Sequence, residues 1–122
     1  MIPIRLAKAP RAKYGNHKVV VDGIAFDSKA EAARWQVLTY MQRAGHISEL
    51  RRQVRYELVK GVKFDGAKRA QPALRLTLDF AYMERGVLVL EDTKSPASCT
   101  TSFVMRRHLL LAIHGLQVRL TK

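Results

Sequence analysis

The chain is poor in cysteine, and it has no long apolar run. Its 122 residues include one cysteine, Cys99, which excludes an internal disulfide framework. Without clustered histidine partners, this cysteine also argues against a zinc site. No apolar stretch approaches the roughly 20 residues that a membrane-spanning helix requires. The first residues, interrupted by proline and basic side chains, lack the apolar core of a signal peptide. We therefore expect a soluble, cytoplasmic protein with no membrane partner.

Acidic side chains are also scarce. Lys and Arg total 22 against 10 for Asp and Glu, which gives a formal net charge of +12. Such an excess favours a polyanionic partner, most often nucleic acid, with anionic lipid or the ribosome as alternatives. The basic residues are scattered with no run of five or more, so they predict a basic surface rather than a basic tail.

The amino-terminal part of the chain predicts an arm, a hairpin and a helix. Residues 1–16 are interpreted as a flexible basic arm and residues 17–122 as a single domain. Asp-Gly between two apolar runs predicts a type I′ hairpin over residues 18–26. In "DSKAEAARWQVLTYMQRAG", Ser28 and Glu31 form a capping box and Gly45 ends a helix. The helix has an apolar stripe of Ala30, Ala33, Val37, Tyr40, Met41 and Ala44.

The rest of the chain predicts a mixed sheet. A strand over residues 53–59 is followed by a basic, glycine-containing loop and by a hairpin over residues 74–84 and 87–94. A helix over residues 102–114 ends at Gly115, and "LQVRLTK" is a closing strand. A strand, a crossover helix and another strand imply one parallel pairing in an otherwise antiparallel sheet. The expected fold class is α/β, of the α+β kind, with a mixed sheet flanked by helices and an amino-terminal hairpin.

The hairpin "LDFAYMERGVLVLEDTK" carries four of the ten acids. If Arg-Gly is its two-residue loop, Asp79 faces Asp92. Alternation then puts Lys94 on the face of Asp92, and Glu91 on the other face. Opposed carboxylates repel, and burial raises the pKa of one unless a cation compensates. Lys94 is one such cation, and a divalent metal is another.

Structural explanations exist for each of these acids. Acidic pairs at strand ends are often simply solvated, and an Asp-x-Lys pattern is common by chance. Glu31 has a structural role as the acid of a capping box. The residues alone leave the structural and the functional interpretation open.

Taken together, these features resemble a known nuclease family. A helix-borne acid, an acid on the next long strand and Asp-x-Lys on its hairpin partner resemble the PD-(D/E)XK, or restriction-endonuclease-like, superfamily. The wording "DGIAFDSKAEAARW…DFAYME…VLEDTK" is similar to small phage and prophage proteins regarded as Holliday-junction resolvases or related structure-selective endonucleases. The similarity covers residues 16–122, and it implies an αβββαβ core.

The resemblance implies a metal-dependent endonuclease that cuts branched DNA in phage recombination. It implies Asp79, Asp92 and Glu31 as ligands of Mg²⁺, for which Mn²⁺ would substitute, and Lys94 as the catalytic lysine. It also implies a homodimer, since resolving a four-way junction takes two symmetric cuts. This chain departs from the pattern at Leu78, where the family has proline, and at Asp92, where many members have glutamate. Glu91 is a possible substitute ligand, although alternation directs it to the opposite face.

Basic side chains near the predicted site are candidates for phosphate contacts. Such contacts give affinity and salt dependence rather than sequence reading. Arg34 has an alternative role in covering apolar surface with the aliphatic part of its side chain. For Arg106 and Arg107, a solvated helix face is an equally good explanation. The candidates are Lys18, Lys29, Arg34, Arg106 and Arg107. Two further functions stay open: a catalytically silent nucleic-acid-binding module of this fold, and a nuclease acting on nicked, single-stranded or other nucleic acid.

Overall fold

A computed structural model describes residues 18–122, so the predicted arm over residues 1–16 lies outside the described residues. The elements are β1 (Val19–Val21), β2 (Ile24–Phe26), α1 (Lys29–Arg43), β3 (Ser48–Val59), β4 (Leu74–Glu84), β5 (Val87–Thr93), α2 (Thr101–His114) and β6 (Val118–Thr121). This order confirms the predicted fold class and its αβββαβ order with an amino-terminal hairpin. No helix within the described range is long and apolar enough to cross a membrane.

The chain divides into two compact units, with the boundary between Tyr40 and Met41. We describe each unit by itself, and the assignment of residues 17–122 to a single nuclease domain stays a prediction. In the first unit, β1 and β2 pair antiparallel, with Val21 opposite Ile24. The two residues between them have φ values of +52° and +79°, as a type I′ turn requires. The predicted hairpin is therefore confirmed.

Helix α1 begins as predicted but buries a different face. Its buried side chains are Glu31, Ala32 and Leu38, and the Trp35 ring lies 6.1 Å from that of Phe26 in a tilted contact. Two members of the predicted apolar stripe are instead largely exposed, Val37 at 47% and Tyr40 at 69%. The stripe prediction was wrong because the helix carries apolar residues on more than one side, and packing partners rather than periodicity decide which side is buried.

The second unit contains a four-stranded sheet in the order β3-β4-β5-β6. β3, β4 and β5 pair antiparallel, whereas β5 and β6 pair parallel, which confirms the predicted mixed sheet. Helix α2 starts at Thr100, whose side chain accepts a hydrogen bond from the Phe103 N–H, and ends at Gly115 with a φ of +70°. Helix α2 contributes Phe103 and Leu110 to a core cluster. The other members of the cluster come from the strands: Leu58, Leu76, Leu78, Ala81, Leu90 and Val118.

Strand β3 is longer than its sequence pattern indicates. It starts at Ser48, five residues before the predicted start, and its pairing with β4 shifts register between Ser48 and Arg51. Glu49 in this stretch has a φ of +55°, so the backbone departs from the extended conformation there. Such an irregularity destroys the two-residue period, which explains why the pattern missed the first part of the strand.

Candidate active site

The β4–β5 hairpin has the register that places two acids opposite each other. Facing residues run from Glu84 opposite Val87 to Phe80 opposite Glu91. Both residues of the loop, Arg85 and Gly86, have positive φ values of +52° and +77°, so the loop has two residues as predicted. The next facing positions along the two strands are those of Asp79 and Asp92.

At this point side-chain carboxylates, rather than backbone carbonyls, accept the hydrogen bonds between the two strands. The Asp79 N–H donates to Oδ1 of Asp92 at 2.9 Å, and the Thr93 N–H donates to Oδ2 of Asp79 at 2.8 Å. Each strand therefore places a carboxylate on an amide of the other strand. We call these two side chains the Asp79–Asp92 pair, and their crossed hydrogen bonds hold both carboxylates in defined positions.

The neighbouring strand is irregular at the same level. Pairing between β3 and β4 passes from Val54 opposite Leu78 to Arg52 opposite Phe80, and Gln53, at the position facing Asp79, has a φ of +51°. Leu78 belongs to the same core cluster as Ala81, although strict alternation puts the two on opposite faces. Even-numbered residues of β4 belong to this cluster up to Leu78, whereas the odd-numbered Ala81 belongs to it afterwards. The alternation of side chains along β4 therefore breaks next to Asp79. The sequence-based assignment of Leu78 to the face opposite Ala81 was wrong for this reason.

Asp92 is an unusually placed carboxylate. Its residue is 3% exposed, and the pKa of its carboxyl is raised from 3.8 to about 6. Burial is the largest cause, because it penalises the charged form, and the charge of Asp79 is the second. Lys94 opposes both effects through a hydrogen bond and its positive charge. The expected repulsion between opposed acids is therefore present, and Lys94 offsets part of it.

Lys94 is positioned by contacts from several elements. Its Nζ lies 3.0 Å from Oδ2 of Asp92 and 4.4 Å from the centroid of the Phe103 ring on α2. Its backbone N–H donates to the Thr121 carbonyl on β6 at 2.8 Å. The side chain is 22% exposed, so the ammonium retains access to solvent. Sequence reasoning missed Phe103 and Thr121, because tertiary packing brings them to the site, and it missed Thr93, because only its backbone N–H takes part.

Glu91 lies on the other side of the strand. It faces Phe80 in the ladder and is fully buried. Because side chains of adjacent strand residues point to opposite faces, Glu91 is directed away from Asp92. This agrees with the preference for Asp92 over Glu91 as the acid of the pair.

Glu31 belongs to the first unit, where its capping role is confirmed. Its N–H donates to Oγ of Ser28 at 3.1 Å, and its Oε1 accepts from the Asp27 N–H at 3.1 Å. This acceptor thus serves the residue before the N-cap. Glu31 is 4% exposed. Its assignment to an acidic set with the Asp79–Asp92 pair stays a prediction.

The donor chemistry of the Asp79–Asp92 pair fits Mg²⁺. Among residues 18–122 there is no group of three or more His, Cys, Asp or Glu side chains arranged to hold a metal. Mg²⁺ nevertheless commonly takes only one or two carboxylates and completes its shell with waters and substrate phosphates. Two hard oxygen donors are suited to such an ion, which would relieve the burial and the repulsion by Asp79 that raise the pKa of Asp92.

The candidate phosphate-binding residues differ in how they are engaged. Lys18 pairs with Asp27 at 3.0 Å, and both side chains are largely exposed. Lys29 is exposed and Arg34 is half-buried. Arg106 donates to the Arg75 carbonyl at 2.6 Å and so ties α2 to β4.

Arg107 is the remaining candidate, and it is exposed. Its Nη2 donates to the Val118 carbonyl at 3.4 Å, and it lines a groove of ≈ 260 Å³ beside α2 and β6. Phosphate binding by all five candidates stays a prediction.

Comparison with known protein families gives a match over most of the chain. Residues 11–122 match the family described as "Protein of unknown function (DUF1064)". No curated protein and no solved structure matches the chain.

Proposed function

The chain belongs to this family of unknown function, and from the Asp79–Asp92 pair and Lys94 we propose that it is a metal-dependent DNA endonuclease. The observation that carries the proposal is a constellation of three charged side chains. Two carboxylates are fixed by crossed hydrogen bonds where a β-ladder ends, and one of them lies 3.0 Å from an ammonium group. The resemblance to the PD-(D/E)XK superfamily concerns these three residues together with Glu31.

Hydrolysis of a phosphodiester needs positive charge at the phosphate and a positioned water. The new bond joins the water oxygen to phosphorus, and the broken bond releases a sugar oxygen that takes a proton. Asp79 and Asp92 would hold the Mg²⁺, with Glu31 as the third ligand that the resemblance implies. When bound, the ion polarises the scissile phosphate and lowers the pKa of a coordinated water.

Lys94 supplies the second positive charge. Its ammonium group orients the attacking water and hydrogen-bonds a phosphate oxygen as negative charge develops there. Asp92 at 3.0 Å and the Phe103 ring at 4.4 Å restrict where this group can move. A restricted donor costs little reorganisation during the reaction, which is the advantage of a preorganised site.

The substrate and the assembly follow from the resemblance and from charge. We propose that the substrate is branched DNA of the four-way-junction kind, bound through the basic surface in a phage recombination process. Two symmetric cuts require two active sites, so the acting form is a homodimer. Its place of action is the cytoplasm, that of the host if the chain is phage-encoded. Mn²⁺ replaces Mg²⁺, because it accepts the same oxygen ligands.

Cleavage of defined DNA substrates tests the proposal. The purified protein is incubated with a synthetic four-way junction, a linear duplex and a single strand, with Mg²⁺, Mn²⁺ or EDTA. We expect metal-dependent cleavage that is strongest on the junction and is lost in Asp79→Asn and Lys94→Met. Asp22→Asn is the matched control, because Asp22 is an exposed acid in the turn between β1 and β2 and Asn-Gly suits such a turn.

The result also separates the alternatives. Cleavage that survives both Asp79→Asn and Lys94→Met would refute the assigned site. Tight DNA binding without cleavage at any metal concentration would favour the silent binding module. Equal cleavage of all three substrates would refute selectivity for junctions but not the nuclease activity.

A further inference from the structure

The segment between β3 and β4, residues 60–73, has a built structure. Val62 and Gln71 exchange two backbone hydrogen bonds, of 3.1 Å from the Val62 N–H and 2.6 Å from the Gln71 N–H. At the tip, the Ala67 N–H donates to the Phe64 carbonyl at 3.0 Å, and Gly66 has a φ of +82°. The segment is therefore a small hairpin closed by a turn, and we call it the basic hairpin.

A glycine at its base holds the two arms close together. A Cβ built on Gly61 would lie 2.5 Å from the Gln71 carbonyl oxygen and 3.3 Å from the Ala73 nitrogen. Real Cβ atoms do not approach backbone atoms so closely, so a larger residue would push the arms apart. This close approach, like the paired hydrogen bonds, gives the hairpin a specific shape.

The surface of the basic hairpin combines an aromatic ring with positive charge. Phe64, the first residue of the turn, is 63% exposed, and Val62 is 51% exposed. An exposed ring contributes little to the core, and its face is open to a partner. The segment has four basic residues against one acid, and all are exposed: Lys60, Lys63, Lys68, Arg69 and Asp65. Recognition of single-stranded nucleic acid has two components. Cationic side chains contact the sugar-phosphate backbone, and an aromatic ring stacks on a base.

The basic hairpin leaves the sheet in the direction in which β5 ends, and Asp92 lies next to the last residue of β5. It leads into β4 at Leu74, five residues before Asp79, which is about 17 Å along an extended strand. β5 runs antiparallel to β4, and its last residue, Thr93, lies beside Asp79.

We propose that the basic hairpin binds unpaired nucleotides of DNA. Phe64 stacks on a base, and Lys63, Lys68 and Arg69 contact the flanking phosphates. Binding by the hairpin is independent of catalysis. The proposal rests on the proposed function only for the direction of the bound DNA strand, which runs from the basic hairpin towards the Asp79–Asp92 pair. The ligand is a single-stranded segment, such as the unpaired nucleotides beside a branch point.

Equilibrium binding of a fluorescent oligothymidylate to the full chain in EDTA tests this inference. Phe64→Ala is expected to weaken binding roughly tenfold, because stacking on one aromatic ring is lost. Phe64→Trp keeps the ring and is expected to retain wild-type affinity, whereas Phe64→Leu keeps only the apolar bulk and is expected to behave like Phe64→Ala. The matched control is Val87→Ala at the start of β5, because Val87 is 61% exposed and lies opposite Glu84, at the far end of β4 from the basic hairpin.

Salt dependence tests the phosphate contacts separately. Lys68→Ala and Arg69→Ala are each expected to reduce the slope of log K against log salt by about 0.7. All these side chains are exposed, so unchanged thermal unfolding should accompany the binding changes. Wild-type affinity in Phe64→Ala, or equal affinities of Phe64→Leu and Phe64→Trp, would overturn the inference.

Two further arms distinguish the sources of failure. Asp79→Asn should bind the oligonucleotide as the wild type does, so loss of cleavage there bears on the proposed function alone. Vesicles containing anionic lipid offer the other polyanionic partner. Phe64-dependent binding to vesicles, without binding to the oligonucleotide, would overturn the inference in favour of a membrane surface.

Discussion

The backbone N–H of Asp79 donates a 2.9 Å hydrogen bond to the carboxylate of Asp92. One carboxylate thus closes the end of a β-ladder, pairs with Lys94 and belongs to the proposed metal site. Removing it entirely would disturb the fold and the site at once. Asparagine keeps an oxygen acceptor for the amide while it removes the charge and the acceptor beside Lys94, so it is the informative substitution at this position.

The stability of the metal-free protein should fall between pH 4 and pH 6 on account of Asp92. Its pKa rises from 3.8 to about 6 on folding, so the folded state holds the proton more tightly than the unfolded state. Asp92 therefore causes no loss of stability below pH 4, and its full cost, about 3 kcal/mol, is present above pH 6. Urea denaturation of the wild type and of Asp92→Asn in EDTA measures the effect.

The comparison between the two proteins removes the contribution of other groups. Asp92→Asn should gain stability over the wild type by up to about 3 kcal/mol as the pH rises from 4 to 7. A stability difference that stays constant across this range would show that Asp92 is not strained by burial and by Asp79.

Mg²⁺ should stabilise the wild type and not Asp79→Asn. A ligand that binds only the folded state at ten times its Kd adds about 1.4 kcal/mol, or about 6 °C in Tm for a chain of this size. The shift should be larger at pH 7 than at pH 5, because the ligating carboxylates must be ionised. Differential scanning fluorimetry with NaCl at matched ionic strength is the control, and an equal shift in both proteins would argue against this site.

Lys94→Met should abolish cleavage and raise the pKa of Asp92 further. Lys94 lowers that pKa by a hydrogen bond and by its charge, and methionine keeps the length of the side chain without either. Carboxyl ¹³C NMR titration reports the pKa, and DNA binding in EDTA should change little. Lys122→Met is the matched control, since Lys122 is exposed beyond β6. An unchanged Asp92 titration would contradict the contact.

Substitutions at Glu31 separate capping from catalysis. Glu31→Gln retains an oxygen acceptor for the Asp27 N–H and should change the free energy of unfolding by less than about 0.5 kcal/mol, whereas Glu31→Ala should cost about 1 kcal/mol. If Glu31 completes the acidic set, Glu31→Gln should nevertheless lose cleavage. A stable and fully active Glu31→Gln would leave Glu31 with its capping role alone.

The sequence predicted the parts of the fold that depend on local chemistry. Two adjacent positive φ values suit Asp-Gly and Arg-Gly, so both hairpin loops and the register of Asp79 and Asp92 followed from short stretches. The cap at Ser28 and the end of α2 at Gly115 followed in the same way. The start of β3 and the buried face of α1 did not follow, because a backbone irregularity hides the first and packing partners select the second.

The residue types and the spacing that bring Asp79, Asp92 and Lys94 together were determined by the sequence itself, since hairpin register depends on loop length and alternation. Only the tertiary structure decided the electrostatics of this group. The raised pKa of Asp92 arises from burial, and Lys94 is held against Phe103 from a distant helix. The pairing of Val62 with Gln71 in the basic hairpin, and the close approach of Gln71 to Gly61, were likewise visible only in the tertiary structure. Burial and long-range contacts depend on which elements pack together, and local sequence patterns do not specify those packing partners.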